Sequence, residues 1–182
     1  MSFTVIILAA GKGSRMKSST SKPLHKIAGC EMIEWVLEAS RKAGAAQIIP
    51  VIRKEMSDLA SYLSDYSTAI QKEANGTADA VVAALPHIRN LNQPVIVLYA
   101  DTPFITSKTL KKIVKSFRNG NDLVLTGFKK NEKNKYGKII FDSKKKPREI
   151  LEHKDAKKNK VDSNFCNGGI MGIHSSCLKY LN

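Results

Sequence analysis

The 182-residue chain contains no apolar run approaching the roughly 20 residues that cross a bilayer, which argues against a membrane-embedded role or a membrane partner. Met1-Ser2 passes straight into Phe3–Leu8 without a basic leader, which reads as a first strand, and a cytoplasmic protein is expected from the cysteine usage. Cysteine is scarce as well. Cys30, Cys166 and Cys177 are odd in number and show neither CxxC nor Cys/His spacing, so a disulfide framework or zinc site is not expected. They read instead as small buried residues in a reducing compartment. Arginine is the third scarcity: it supplies six of the 30 basic residues that set a net charge of +14. Many lysines crowd between Lys129 and Lys160 without the interleaved aromatics of a base-stacking platform, so nucleic acid is not expected as a partner. The alternative is a solvated lysine-rich surface whose positive field attracts small polyanions.

What is present is an ordinary globular mixture, 42% hydrophobic and 25% charged, of a length that suits one domain over residues 1–182. Phe3–Ala9, Gln47–Ile52, Val95–Tyr99 and Leu123–Thr126 are β-branched apolar runs that predict buried strands. Between them, Met32–Ala43 places Ile33, Val36, Leu37 and Ser40 on one helical face, with Gly44 as the stop. Thr77–Leu85 and Ser107–Phe117 follow the same period, each opened by Thr or Ser in an N-cap position. Strands alternating with helices predict a three-layer α/β fold on a mostly parallel sheet, with the ligand site beyond the carboxyl ends of the strands. The lysine-rich stretch near 129–160 breaks the pattern and predicts a small β insertion, with strands near Tyr136–Phe141 and Arg148–Leu151.

Two common phosphate loops are missing. No G-x-x-x-x-G-K-[ST] run occurs, and Gly11-Lys12-Gly13-Ser14-Arg15-Met16 ends in Met where a dinucleotide fingerprint needs its third glycine. The loop after the first strand is nevertheless built from small residues, which lets backbone N–H groups approach phosphate oxygens. Arg15 and Lys22 add fixed positive charge suited to a triphosphate. No Ser/His/Asp set is evident; His25, His87, His153 and His174 are scattered.

Leu8-Ala9-Ala10-Gly11-Lys12-Gly13-Ser14-Arg15-Met16 with Ser21-Lys22-Pro23-Leu24 resembles the signature of sugar-1-phosphate nucleotidyltransferases. Gln71–Ala80 is similar to the base-reading segment of that family, and Leu98-Tyr99-Ala100-Asp101-Thr102-Pro103 to its metal-binding strand end. Lys135–Ile139, Ile150–Ala156 and Asn167–Ile170 look most like the uridylyltransferase domain of bacterial bifunctional enzymes that make UDP-N-acetylglucosamine. The likeness extends along nearly the whole chain, although Ala74 and Ala100 stand where the family has glutamine and glycine. The family's catalytic domain continues beyond the point where this chain stops, so a distal asparagine that shares the metal is expected to be missing. The acetyltransferase half is expected to be missing too.

The resemblance implies Mg²⁺-dependent transfer of UMP from UTP to N-acetylglucosamine 1-phosphate, giving UDP-N-acetylglucosamine and pyrophosphate. It implies that Arg15, Lys22 and Asp101 are catalytic, with Asp101 on the metal. Leu8, Ala9, Ala10, Gly11, Lys22, Gln71, Gly76 and Thr77 would hold the nucleotide, and Tyr99, Ala100, Gly137, Glu152 and Asn167 the sugar. Each assignment competes with a plainer one: an exposed Gln71, an Asx turn at Asp101, a lysine partner for Glu152. Another phosphate acceptor, or nucleotide binding without turnover, stays open as well. Nothing in the sequence assigns an oligomeric state.

Overall fold

The computed structural model describes residues 1–182 except 12, 14, 15, 74, 75, 131–133, 154, 156–162 and 182. In chain order the elements are β1 (Thr4–Leu8), β2 (Lys26–Ile27), β3 (Cys30–Glu31), α1 (Met32–Ala43), β4 (Gln47–Ile52), α2 (Ser57–Tyr62) and β5 (Ala69–Ile70). They continue as α3 (Thr77–Ala84), β6 (Val95–Tyr99), α4 (Ser107–Arg118), β7 (Leu123–Lys129), β8 (Lys138–Phe141), β9 (Pro147–Leu151) and β10 (Phe165–Ile173). The chain divides into two compact units, one formed by 1–124 with 171–182 and the other by 125–170.

The first unit is built on parallel pairing. β1 lies between β4 and β6, and β5 pairs with β4, so four strands run in one direction in the order β5-β4-β1-β6. Only the end of β10 runs the other way, with Met171 opposite Val97 and Ile173 opposite Val95. Val5, Ile6 and Ile7 are fully buried, as expected of a strand covered on both faces. Alternation sorts them: Ile6, Ile49, Val51, Ala69, Val97 and Ile173 join Ala80, Val81 and Ala84 of α3 in one core. α4 covers the opposite face, because Gly172, between two residues of that core, lies against Ile113 and Phe117 of α4. α1 packs on α4. This is the three-layer α/β arrangement predicted by the strand–helix alternation.

Local sequence accounts for the helices. α1 buries Ile33, Val36, Leu37 and Ser40, and the buried Ser40 hydroxyl donates to the Val36 carbonyl at 2.7 Å. Its end is set by Gly44 at φ +88, whose N–H closes onto the Ser40 and Arg41 carbonyls. α4 buries Leu110, Ile113, Val114 and Phe117 at helical spacing. The expected caps are displaced by one residue: α3 begins at Gly76, and α4 at Thr106, whose hydroxyl accepts from the Thr109 N–H. Thr77 and Ser107 are therefore first helical residues, a difference that propensity alone does not resolve. The buried-cysteine expectation holds for Cys166, whereas Cys30 and Cys177 are partly exposed; all three are free thiols.

The second unit contains the predicted β insertion but is larger than 129–160. β8 and β9 form a hairpin, and β8 also pairs with β10 through Lys138 and Cys166. Gly127 and Gly168 allow close packing there: a Cβ at either would fall 2.3 Å from Phe165 or 2.8 Å from the Thr126 hydroxyl.

Candidate active site

The ends of β1, β4, β5 and β6 open on one side of the first unit. Pairing runs one residue past each strand, with the Ala9 N–H donating to the Val51 carbonyl and the Ala100 N–H to the Leu8 carbonyl. Strand order turns about β1, since its chain neighbour β4 lies on one side and β6 on the other, the place where α/β sheets hold ligands. The loop leaving β1 is kept open by residue size. Gly11 has no atom within 4 Å of where a Cβ would stand. Gly13, at φ +59, would put a Cβ 2.9 Å from the Lys22 Cβ, so glycine is required for both conformation and space. The predicted catalytic residue Arg15 lies outside the described residues.

Lys22 crosses the cleft to Asp101, with Nζ 2.5 Å from Oδ2. Both side chains stay accessible, 33% and 41% exposed, so the pair faces the cleft rather than the core. Lys22 enters a short turn with Pro23, and the preceding Ser21 is clamped by Asp58 through its amide at 2.7 Å and its hydroxyl at 2.6 Å. Burial pushes the Asp58 carboxyl up, but the Ser21 and Leu59 hydrogen bonds outweigh it and hold the group below the usual carboxylate range. The Asx-turn alternative for Asp101 fails on chemistry, because the residue two positions on is Pro103, which has no N–H, and the Thr102 N–H and hydroxyl are both satisfied by the Tyr99 carbonyl.

Gln71 is buried, 7% exposed, contrary to its plainer reading as a surface residue. Its amide nitrogen donates to the Gly76 carbonyl at 3.1 Å and to Asp79 Oδ2 at 2.8 Å. Two acceptors on that side fix the amide orientation and leave Oε1 as a bare acceptor among the described residues. Gly76, at φ +101, starts α3, and the hydroxyls of Thr77 and Tyr99 are hydrogen-bonded at 3.1 Å.

A single cleft of about 700 Å³ is lined by the predicted nucleotide residues Leu8, Ala9, Ala10, Gly11, Lys22, Gln71, Gly76 and Thr77. Asp101, Tyr99 and Ala100 line it as well. Of the predicted sugar residues, Gly137, Glu152 and Asn167 belong to the second unit, where they converge on one another. The Asn167 N–H donates to the Gly137 carbonyl at 2.8 Å, and Glu152 Oε1 is 3.4 Å from where a Gly137 Cβ would stand. Asn167 Oδ1 accepts from the Gly169 N–H.

Sequence reasoning missed two residues. Asp79 orients Gln71, and Arg53, the first residue beyond β4, lines the cleft. Asp79 carries no local signal, since its partner is eight residues away in the chain. Arg53 had one: a cation directly after a buried strand, at the edge where α/β sheets hold ligands.

Residues 5–163 match the model of the MobA-like NTP transferase domain. The chain is 38% identical to the bifunctional protein GlmU of Parvibaculum lavamentivorans over 180 residues, 97% of this chain and 40% of that protein. It is also 38% identical to the bifunctional protein GlmU of Sinorhizobium fredii, over 94% of this chain and 38% of that one. The chain thus spans about two fifths of the length of these curated relatives. A UDP-glucose pyrophosphorylase solved with UDP-glucose shares the fold at a TM-score of 0.78 and 18% identity, over 100% of this chain and 79% of that one. With most of its length inside the family model and this cleft at the strand ends, the chain belongs to the MobA-like NTP transferase family and is a nucleotidyltransferase.

Proposed function

We propose that the chain transfers UMP from UTP to N-acetylglucosamine 1-phosphate, releasing pyrophosphate and UDP-N-acetylglucosamine, in the cytoplasm. The observation that carries this reading is one cleft with the Lys22–Asp101 pair on its β6 side and the buried Gln71 amide on its β5 side. Uracil has an N–H that a bare amide oxygen accepts, and the 38% identity to GlmU proteins supports the choice of base and acceptor. An oxygen of the sugar phosphate attacks the α-phosphorus, a new P–O bond forms, the bond to the β-phosphate breaks, and pyrophosphate departs. The attacking oxygen is already anionic, so no protein nucleophile is needed. Lys22 holds the Asp101 carboxylate in place and offers its remaining N–H donors to the phosphates.

Asp101 suits Mg²⁺, which binds by one or two carboxylates and takes its other ligands from phosphates and water. Among the described residues no group of three or more His, Cys, Asp or Glu is gathered to cage an ion, which fits a metal delivered with the triphosphate. Bound there, Mg²⁺ would supply charge neutralisation on the phosphate oxygens. In the second unit, Gly137, Glu152 and Asn167 are proposed as sugar contacts: a carboxylate accepts from hydroxyls, and the Asn167 amide nitrogen, which has no partner among the described residues, donates. In the first unit, Tyr99 and Ala100 are proposed as sugar contacts of their own.

Pyrophosphate release with UTP, Mg²⁺ and N-acetylglucosamine 1-phosphate tests the reading. Turnover is expected with this pair and not with ATP; a rate no higher than that of Asp101→Ala would refute it.

A further inference from the structure

The stretch from Met16 to Leu24 carries Lys22 into the cleft, yet it is tied to the rest of the fold at few points. Its backbone bonds are short-range: the Met16 N–H donates to the Gly13 carbonyl and the Leu24 N–H to the Ser21 carbonyl. Among the described residues, its hydrogen bonds to other elements are those of Lys22 to Asp101 and of Ser21 to Asp58. The Ser21 tie is two-pronged. Asp58 Oδ2 accepts from the Ser21 N–H at 2.7 Å and Oδ1 from the Ser21 hydroxyl at 2.6 Å, so one carboxylate holds the backbone and side chain of one residue across 37 positions. Oδ1 also accepts from the Leu59 N–H at 2.8 Å, which fixes the carboxylate on α2. An ionised acceptor makes each of these bonds stronger than a neutral one would.

What Asp58 holds is the residue before Lys22. Pro23 narrows the conformations open to Lys22, so the place of the Lys22 backbone follows from that of Ser21. The side chain then runs along the phosphate loop: a Cβ on Gly13 would fall 2.9 Å from the Lys22 Cβ, 3.6 Å from Cγ and 3.7 Å from Cδ. Beyond that contact Nζ reaches Asp101 at 2.5 Å. A lysine stem is flexible and sets no direction for its ammonium, so its aim depends on where the stem begins. Asp58 is not among the residues that line the cleft. We propose that Asp58 is a positioning residue for Lys22: by holding Ser21 it fixes where Lys22 presents its ammonium to phosphates. The proposal rests on the reading of Lys22 as a phosphate donor given above and adds the residue that aims it.

Calorimetry of inorganic tripolyphosphate with Mg²⁺ on Asp58→Asn and Asp58→Ala, each with Lys22 intact and with Lys22→Ala, provides the test, with the denaturant midpoint measured alongside. Both substitutions remove the same charge, but asparagine still offers an oxygen to the Ser21 N–H and an amide N–H to its hydroxyl. With Lys22 intact, Asp58→Ala is expected to bind tripolyphosphate about fivefold or more weakly than Asp58→Asn, a usual coupling for residues in one network. With Lys22→Ala the two are expected to agree within about twofold, while the lower midpoint of Asp58→Ala persists in both backgrounds. Ser21→Ala keeps every charge and loses only the hydroxyl bond. It is expected to bind about threefold more weakly than the wild type, again only with Lys22 intact, and carries the test should Asp58→Ala not fold. Equal binding by the Asn and Ala variants with Lys22 intact would make Asp58 a structural tie and overturn the proposal. So would a difference that persists undiminished with Lys22→Ala. If Lys22→Ala alone binds as tightly as the wild type, or the wild type binds no tripolyphosphate, the phosphate role of Lys22 falls and the proposal with it. A wild type that binds tripolyphosphate but does not turn over UTP with N-acetylglucosamine 1-phosphate would refute that substrate pair only, and the binding ratios would still decide the role of Asp58.

Discussion

At the scale of single residues, the site separates activity from stability. The Lys22–Asp101 pair is partly solvated on both sides and contributes little to folding, because solvent screens such pairs. Asp101→Asn is thus expected to leave the melting temperature nearly unchanged while kcat/KM falls by about 10²-fold or more, the scale of losing one transition-state contact. Asp58 is the opposite case, since its contacts are to Ser21 and its own helix. Asp58→Ala is expected to cost about 1 kcal/mol, read as a shift in the denaturant midpoint. The carboxyl titrates lower when folded, so its contribution is full above the unfolded value of about 3.9 and fades as pH falls through the folded value. Wild type and variant should therefore converge in stability toward acid pH. Gln71 was legible as a candidate; its saturated amide was not, because Asp79 enters only when α3 docks.

At the scale of elements, strands were readable as continuous β-branched apolar runs, as in β4 and β6, and helices where apolar residues recur at period 3.6, as in α1. Short pieces escaped: β5 has two residues and α2 six, too few to display a period. β10 escaped for another reason. Its sequence FCNGGIMGI is interrupted by glycines that break the apolar run, and those glycines make room for neighbouring elements. Gly172→Ala is expected to destabilise by about 1–3 kcal/mol, since a Cβ would stand 2.5 Å from Ile113 and 2.8 Å from Phe117. Thr106→Ala, which removes the α4 cap, should cost about 1 kcal/mol and lower the melting temperature by about 2–4 °C.

At the scale of the molecule, the chain carries a net charge of +14 and is proposed to bind polyanions. If that field steers substrate, KM for UTP should rise several-fold between about 0.02 M and 0.5 M salt, as the screening length shrinks to a few ångströms. A KM indifferent to salt would assign the lysines to solubility alone. Apolar runs and helical periodicity were enough for the α/β class, because hydrophobic patterning and turn chemistry act between near neighbours, whereas the motif positions from Leu8 to Asn167 came from the resemblance to a known family. Only the folded chain brings Lys22 to Asp101 across 79 residues, Ser21 to Asp58 across 37, and Arg53 beside Gln71. Such contacts close long loops at an entropic cost met by the whole core, so no local stretch of sequence encodes them.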